Sequence, residues 1–453
     1  MSRTWALARW AGAGAAVVFL APLGACSVPG FGGVSASHQE LEGEWSDAAV
    51  PGSISEVAWE WTAEGYSGDV EVTALPRGVL VRSARGVVAL DGVTGEERWS
   101  FTVEDEDVRA LTDVSSTGDR VHVMYPKEAP DEDSEASGDE ELSPEVEWRR
   151  VVLDGVSGEI VGDFEEPIAA DVEKPGPFEG VAGDGGVFHL EGSDRLSGAM
   201  LSEEDGSELW RTEDLFTCEG SKVHGADRPV VFSEAVVVRA WCGSGDAELL
   251  ALDPADGAVL WHLEDAEAEF LTAERGSVRG AGELLPVYHD RGPEYEDEQF
   301  SEQYVLDPAT GEVVGDATGL EEGWFLARTL EDGFLVSHRA PHDEAAGYEL
   351  RRFDGQTLAT EEQAVPTASA GSYVLALEEA VVKLEPEDPE TPVSVTPWGG
   401  GEAHRIDLPE PVEAALYFEA RQPEGQFEAV PGAVLLVDRS DSQGEGVKVI
   451  GLQ

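Results

Sequence analysis

Apolar residues come in short runs rather than long stripes. Gly78-Val79-Leu80-Val81, Val87-Val88-Ala89-Leu90, Ala235-Val236-Val237-Val238 and Gly333-Phe334-Leu335-Val336 are each bounded by glycine, acidic or other polar residues. Runs of this length, rich in β-branched side chains and punctuated by turn formers, read as strands. No stretch sustains the 3.6-residue apolar period with caps that a helix needs. The body is therefore expected to be all-β.

The runs recur with a common ending. Leu90-Asp91-Gly92-Val93-Thr94-Gly95-Glu96-Glu97-Arg98-Trp99 returns as Leu153-Asp154-Gly155-Val156-Ser157-Gly158 and, in weaker form, as Leu201-Ser202-Glu203-Glu204-Asp205-Gly206-Ser207-Glu208-Leu209-Trp210. It returns again as Leu252-Asp253-Pro254-Ala255-Asp256-Gly257-Ala258-Val259-Leu260-Trp261 and as Leu306-Asp307-Pro308-Ala309-Thr310-Gly311. Weaker copies stand at Phe353-Asp354-Gly355, Leu384-Glu385-Pro386 and Val449-Ile450-Gly451-Leu452.

Each copy reads as strand, turn, strand. The carboxylates of Asp91, Asp154, Asp253 and Asp307 suit an Asx-type turn. Gly95, Gly158, Gly206, Gly257 and Gly311 suit a bend that needs positive φ. Trp99, Trp210 and Trp261 end the following strand and are large enough to wedge between neighbouring sheets. The marks at 90, 153, 201, 252, 306, 353, 384 and 452 average about 52 residues apart, the length of a four-stranded propeller blade with its loops. The gaps around Leu384 are irregular, so seven or eight blades are open, eight being the expectation.

These copies resemble the quinoprotein-type, pyrroloquinoline-quinone-like (PQQ-like) β-propeller repeat over roughly residues 56–453. The family shares its fold with quinone-cofactor dehydrogenases and includes a non-catalytic lipoprotein propeller of bacterial outer-membrane assembly. The resemblance implies a fold far more firmly than an activity. The chain stops after a strand where the repeat wants one more, and Glu56-Val57-Ala58-Trp59-Glu60-Trp61 has the missing character. We expect this N-terminal strand to pair with the last blade and close the ring, hiding sheet edges.

Charge and composition narrow the setting. The 453 residues carry 29 Lys+Arg against 93 Asp+Glu, a formal charge of −64. A field of that sign repels phosphate backbones and anionic headgroups, so no nucleic acid is expected, and membrane attachment must be covalent or apolar. The start of the chain supplies such an attachment. Arg3 and Arg9 precede an apolar run, Ala11 to Ala21, too short to span a bilayer but suited to a secretory signal. Leu23-Gly24-Ala25-Cys26 then resembles the bacterial lipobox, whose cysteine is acylated. We expect residues 1–25 to be a lipoprotein signal peptide, 26–55 a lipidated Cys26 and flexible tether, and 56–453 the propeller. The expected product is a monomer on the extracytoplasmic face of the cell membrane, anchored by its lipid.

Cys218 and Cys242 remain, and an even pair on an exported chain reads as a disulfide, with two unpaired thiols as the alternative. Catalytic signals are sparse. The resemblance implies, for many alcohol-oxidising relatives, a quinone held against a disulfide of adjacent cysteines, and this chain has no adjacent pair. Its nine histidines show no metal-ligand spacing, and no nucleophile elbow or phosphate loop appears. Neither a metal nor a cofactor is expected. The acidic runs within 128–147 and 294–298 lack the spaced ligands of a calcium loop and read as solvated insertions. The function that remains is a non-catalytic binding or scaffold module for a protein or envelope partner. An extracytoplasmic sensor and a quinone-cofactor dehydrogenase are the alternatives.

Overall fold

The apolar runs form strands throughout, and among the described residues of this computed structural model there is no helix. The description covers residues 26–28 and 34–453, apart from the stretches 63–69, 128–146, 167–179, 217–222, 264–270, 273–284, 291–300, 317–323, 339–345, 353–356, 364–373, 385–392, 409–426 and 439–446 and breaks of one to three residues elsewhere. Both acidic runs lie outside it, except Glu147.

The chain opens with β1 (Cys26–Val28), β2 (Ala36–Glu40) and β3 (Val57–Thr62), then lays down antiparallel strands in consecutive groups. Sheet 1 holds β4 (Glu71–Leu75), β5 (Gly78–Ser83), β6 (Gly86–Asp91) and β7 (Glu97–Val103), with β2 and then β1 added outside β7. Sheet 2 holds β8 (Leu111–Val114), β9 (Arg120–Pro126), β10 (Trp148–Asp154) and β11 (Ile160–Glu166). Sheet 3 holds β12 (Gly180–Gly183), β13 (Gly186–Glu191), β14 (Leu196–Ser202) and β15 (Glu208–Phe216). In sheet 4, β16 (Val223–Ala226) and β17 (Val230–Val231) both pair with β18 (Val236–Cys242), followed by β19 (Asp246–Leu252) and β20 (Val259–Leu263). Sheet 5 holds β21 (Leu271–Thr272), β22 (Leu285–Asp290), β23 (Ser301–Leu306) and β24 (Val313–Asp316). Sheet 6 holds β25 (Trp324–Leu330), β26 (Gly333–His338), β27 (Ala346–Arg352) and β28 (Thr357–Gln363). Sheet 7 holds β29 (Val374–Ala376), β30 (Ala380–Leu384), β31 (Val393–Pro397) and β32 (His404–Ile406). Sheet 8 holds β33 (Phe427–Val430), β34 (Ala433–Asp438) and β35 (Lys448–Leu452), with the early strand β3 beside β35.

The core lies between sheets. One cluster joins sheets 1 and 2 through Leu80, Ala89, Trp99, Phe101, Val121 and Leu153. Another joins sheets 3 and 4 through Phe188, Trp210, Val236 and Leu250. Sheets 7 and 8 share Val382, Val395, Leu436 and Ile450, while sheets 8 and 1 share Leu435, Val449, Trp59, Val79 and Leu90. Strand alternation supplies this arrangement: successive side chains point to opposite faces, so one strand feeds two interfaces.

Leu90, Leu153, Leu201, Leu252 and Leu306 share one peculiarity. The pairing between the third and fourth strands slips by a residue at each of them. A bulge there twists the hairpin and re-aims the side chains that follow.

Two expectations need correction. Leu384 ends β30, the second strand of its sheet, whereas Leu90 lies in the third strand of sheet 1. Its Leu-Glu-Pro tripeptide imitates the repeat at the wrong place. The third strands of sheets 6, 7 and 8 end at Arg352, Pro397 and Leu452, spaced by 45 and 55 residues, so the irregular gaps disappear.

The second correction concerns the tether, because residues 34–56 are packed on the body for most of their length. β2 pairs with β7 from Ala36 opposite Val103 to Glu40 opposite Trp99, and Val34, Ala36 and Ile54 are buried. Small and polar residues favour a free linker only when nothing offers them partners; here the carbonyls of 49, 52 and 54 and the amide of 46 are all bonded to the sheets.

Candidate functional site

The repeat turns are built alike. Asp91 Oδ1 accepts the amides of Val93 and Thr94 at 3.0 Å each, and its carbonyl accepts the Gly95 amide at 2.8 Å. Asp154 Oδ1 accepts Val156 and Ser157 at 3.1 and 2.7 Å, Asp307 Oδ1 accepts Ala309 and Thr310 at 2.8 and 3.1 Å, and Asp253 Oδ1 accepts Ala255 at 2.8 Å. Ser202 stands in for the aspartate in sheet 3, its hydroxyl accepting the Glu204 amide at 3.1 Å. Gly95, Gly158, Gly206, Gly257 and Gly311 have φ between 69° and 75°.

These glycines are also where the sheets meet. A Cβ on Gly158 would lie 2.4 Å from the ring of Trp99, and one on Gly257 equally close to Trp210. Gly311 faces Trp261 and Gly206 faces Phe164 in the same way, and Gly95 faces Trp59. Each indole also donates across the gap: Trp99 Nε1 to Gly155 O at 3.3 Å, Trp210 to Pro254 O at 2.7 Å and Trp261 to Pro308 O at 2.8 Å. Trp59 Nε1 donates to Gly92 O at 2.9 Å. The aromatic of one sheet thus seats on the turn of the next, from sheet 1 to sheet 5, and from sheet 8 to sheet 1 through Trp59. Phe164 escapes a search for tryptophan at the repeat position, because Gly162 occupies that position and the ring comes two residues later.

The second oxygen of a turn aspartate is where the sheets differ. Asp91 Oδ2 accepts the Ser46 amide at 2.7 Å and the Arg98 guanidinium at 3.2 Å. Burial alone raises the Asp91 carboxyl, but the amides of Ser46, Thr94 and Val93 with Arg98 outweigh it and hold it below the ordinary carboxylate range. Asp154 is lowered in the same balance: burial raises it, and Ser157, Val156 and Arg120 outweigh that. Arg120 bridges Asp154 Oδ2 at 3.2 Å to Glu203 Oε1 at 2.9 Å, tying sheet 2 to sheet 3.

Residues 41–56 cross this turn face as a strap. The Leu41 amide donates to Arg98 O at 2.8 Å, and Trp45 Nε1 reaches Val156 O in sheet 2 at 2.7 Å. The amides of Gly432 and Glu379 donate to Ala49 O and Gly52 O at 3.0 and 2.8 Å. His404 Nε2 donates to Ile54 O at 2.8 Å. The strap therefore touches sheets 1 and 2, then sheet 8, then sheet 7. Nothing in its composition announced these contacts; the partners lie between about 50 and 380 residues away.

Cys26 lies on β1, its backbone opposite His38 of β2. Cys242 ends β18 and pairs by backbone with Val223 and Asp246, while Cys218 and the Cys242 side chain lie outside the described residues, and with them the expected disulfide. Arg150 and His122 are fully buried in sheet 2, with Arg150 Nη1 donating to His122 Nδ1 at 3.2 Å.

Among the described residues no group of three or more His, Cys, Asp or Glu is placed to hold a metal ion, and no helix is long and apolar enough to cross a membrane. The residues do not fit a quinone held as in the alcohol-oxidising relatives. No two of Cys26, Cys218 and Cys242 are adjacent in sequence, and the buried Arg98 and Arg150 and the half-buried Arg120 are engaged by Asp91, His122, and Glu203 with Asp154.

Residues 148–321 match the family described as outer membrane protein assembly factor BamB. Among solved structures, the chain is similar to BamB from Moraxella catarrhalis, with 13% identity over 88% of this chain and 99% of that one, at a TM-score of 0.41. Similar too are a quinohemoprotein alcohol dehydrogenase from Comamonas testosteroni (13% identity, 87% of this chain and 76% of that one, TM-score 0.41) and the WD40 domain of SCAP from fission yeast (10%, 87% and 98%, TM-score 0.46). No curated protein matches. The match over 148–321 spans Gly158, Gly206, Gly257 and Gly311, the turns that seat one sheet against the next, and supports a PQQ-like β-propeller repeat in that segment.

Proposed function

We propose that the chain is an extracytoplasmic lipoprotein whose propeller is a non-catalytic scaffold for a protein partner in the cell envelope. One observation carries this reading. In the repeats at Asp91, Asp154, Asp253 and Asp307 one carboxylate oxygen is taken up by the repeat's own turn, and the indole N–H groups of Trp99, Trp210 and Trp261 are taken up by the next sheet. What such a repeat builds is a rigid surface, and the match to an outer-membrane assembly factor favours a partner-holding use of it.

In this reading the eight sheets are eight blades of one ring. The pairing of β3 with β35 and the seat of Trp59 on the sheet 1 turn support closure by the N-terminal strand. Cys26 carries the lipid after removal of residues 1–25, and Cys218 and Cys242 are joined as a disulfide. The body works as a monomer that binds no nucleic acid.

The test separates anchor from activity. Cys26→Ser should move the protein from the membrane to the soluble fraction; retention on membranes would sink the anchor. Purified protein supplied with pyrroloquinoline quinone and calcium should show no dye-linked alcohol turnover, whereas turnover would overturn the scaffold reading.

A further inference from the structure

Sheet 1 and sheets 3 to 5 treat equivalent positions differently. Arg98 of β7 corresponds in the repeat to Leu209 of β15, Leu260 of β20 and Val314 of β24. On sheet 1 the chain itself covers this position: β2 adds to the outer edge of β7, Leu41 continues the pairing, and Arg98 is left 7% exposed. On sheets 3 to 5 no described strand adds to the edge, and apolar side chains stand open there. At that position Leu209 is 55% and Leu260 39% exposed; one residue earlier, where sheet 1 carries the exposed Glu97, Val259 and Val313 are each 55% exposed, and together these are four of the five large exposed hydrophobics among the described residues. They sit at the start of the edge strands of three consecutive sheets. The surface around them is acidic, with Glu204, Asp205, Asp256 and Glu312 all exposed on the adjoining turns.

We propose that this edge is a docking surface for an extended apolar segment with lysine or arginine flanks, carried by a partner protein, which adds to β20 as β2 adds to β7. The proposal deepens the scaffold reading and rests on it. An apolar stripe rimmed by one sign of charge marks an interaction site. The rim selects a cationic partner and repels a second copy of a chain with formal charge −64. The cis strap supplies the geometry: backbone pairing along the edge, then side chains laid over the turn.

The probe is a short synthetic peptide alternating lysine with valine and leucine, added to the full-length protein in mild detergent at moderate salt. Hydrogen exchange and fluorescence anisotropy report on it. The peptide should bind and slow exchange of the amides over 259–263. Leu260→Asp and, separately, Val313→Asp should each weaken binding about tenfold while leaving the melting temperature close to that of the parent. A peptide with alternate backbone nitrogens methylated, unable to pair along one edge, should bind poorly. Equal binding by the methylated peptide, protection elsewhere than β20, or indifference to both substitutions would overturn the docking surface. So would self-association at the same moderate salt that these substitutions abolish, since it would assign the edge to a second copy. Dye-linked turnover of the same preparation reports separately on the scaffold reading: turnover sinks that reading whatever the peptide does, and loss of edge protection alone sinks only the docking surface.

Discussion

Gly95→Ala should be far more damaging than Gly185→Ala, although both glycines have positive φ, 69° and 98°. An L-residue in that region costs about 1–2 kcal/mol, and Gly185 has nothing within 4 Å of an added Cβ, so its substitution should cost only that. At Gly95 the same methyl would lie 2.5 Å from the indole of Trp59. The ring has little room to retreat, being buried and held by its bond to Gly92 O at 2.9 Å. Overpacking of this kind adds about 1–3 kcal/mol, for a total of about 2–5 kcal/mol. Urea denaturation of the two variants measures the difference. In a Trp59→Leu background, which is itself destabilised by lost burial, the additional cost of Gly95→Ala should fall to that of Gly185→Ala. If the two alanines cost the same in the parent protein, Trp59 is not wedged on the sheet 1 turn and the argument for ring closure loses its strongest contact.

The strap and the turn carboxylates give further expectations. Ser46→Pro deletes the amide that donates to buried Asp91 and should cost about 1–3 kcal/mol. Native-state hydrogen exchange should then speed up at Gly432 and Glu379, whose amides donate to strap carbonyls; unchanged rates would mean that the strap docks without Asp91. Because Asp91 and Asp154 have carboxyls depressed by folding, their contribution is complete above the unfolded value of about 3.9 and is lost as pH falls through the lower folded values. Urea midpoints measured from neutral pH downward should therefore drop in that acidic window. Asp91→Asn, less stable at neutral pH, should drop less; parallel curves would contradict the hydrogen-bond account.

How much of this was legible in the sequence depended on whether the cause was local. Asp91, Gly95 and Trp99 announce a turn and a wedge because the turn forms within six residues and repeats five times in recognisable form. The all-β reading followed from short apolar runs for the same reason. Leu384 misled because the leucine that ends the second strand of sheet 7 is followed in sequence by Glu-Pro, the lettering of a third-strand ending, and only pairing partners distinguish the two. The strap was invisible because its small and polar residues bond through their backbone, which every residue carries, to carbonyls and amides of distant sheets. Phe164 and the bridge from Arg120 to Glu203 were hidden likewise: their meaning lies in which sheet stands next to which.

The formal charge of −64 gives the exposed edges a further consequence. Strand edges that bear leucine and valine and have no described partner invite pairing between copies, yet here an edge-to-edge approach of two copies brings the acidic turns beside those edges together. That protection is electrostatic and therefore screened, since the Debye length falls from about 10 Å at 0.1 M salt to about 3 Å at 1 M. Sedimentation velocity should find a single monomeric species at the lower ionic strength and reversible self-association at the higher. Leu260→Asp combined with Leu209→Asp should remove that association, because it takes the apolar contact from the edge while leaving the strap on sheet 1 in place. Association that is equally strong at both salts, or that survives the double substitution, would show that charge is not what keeps these edges apart.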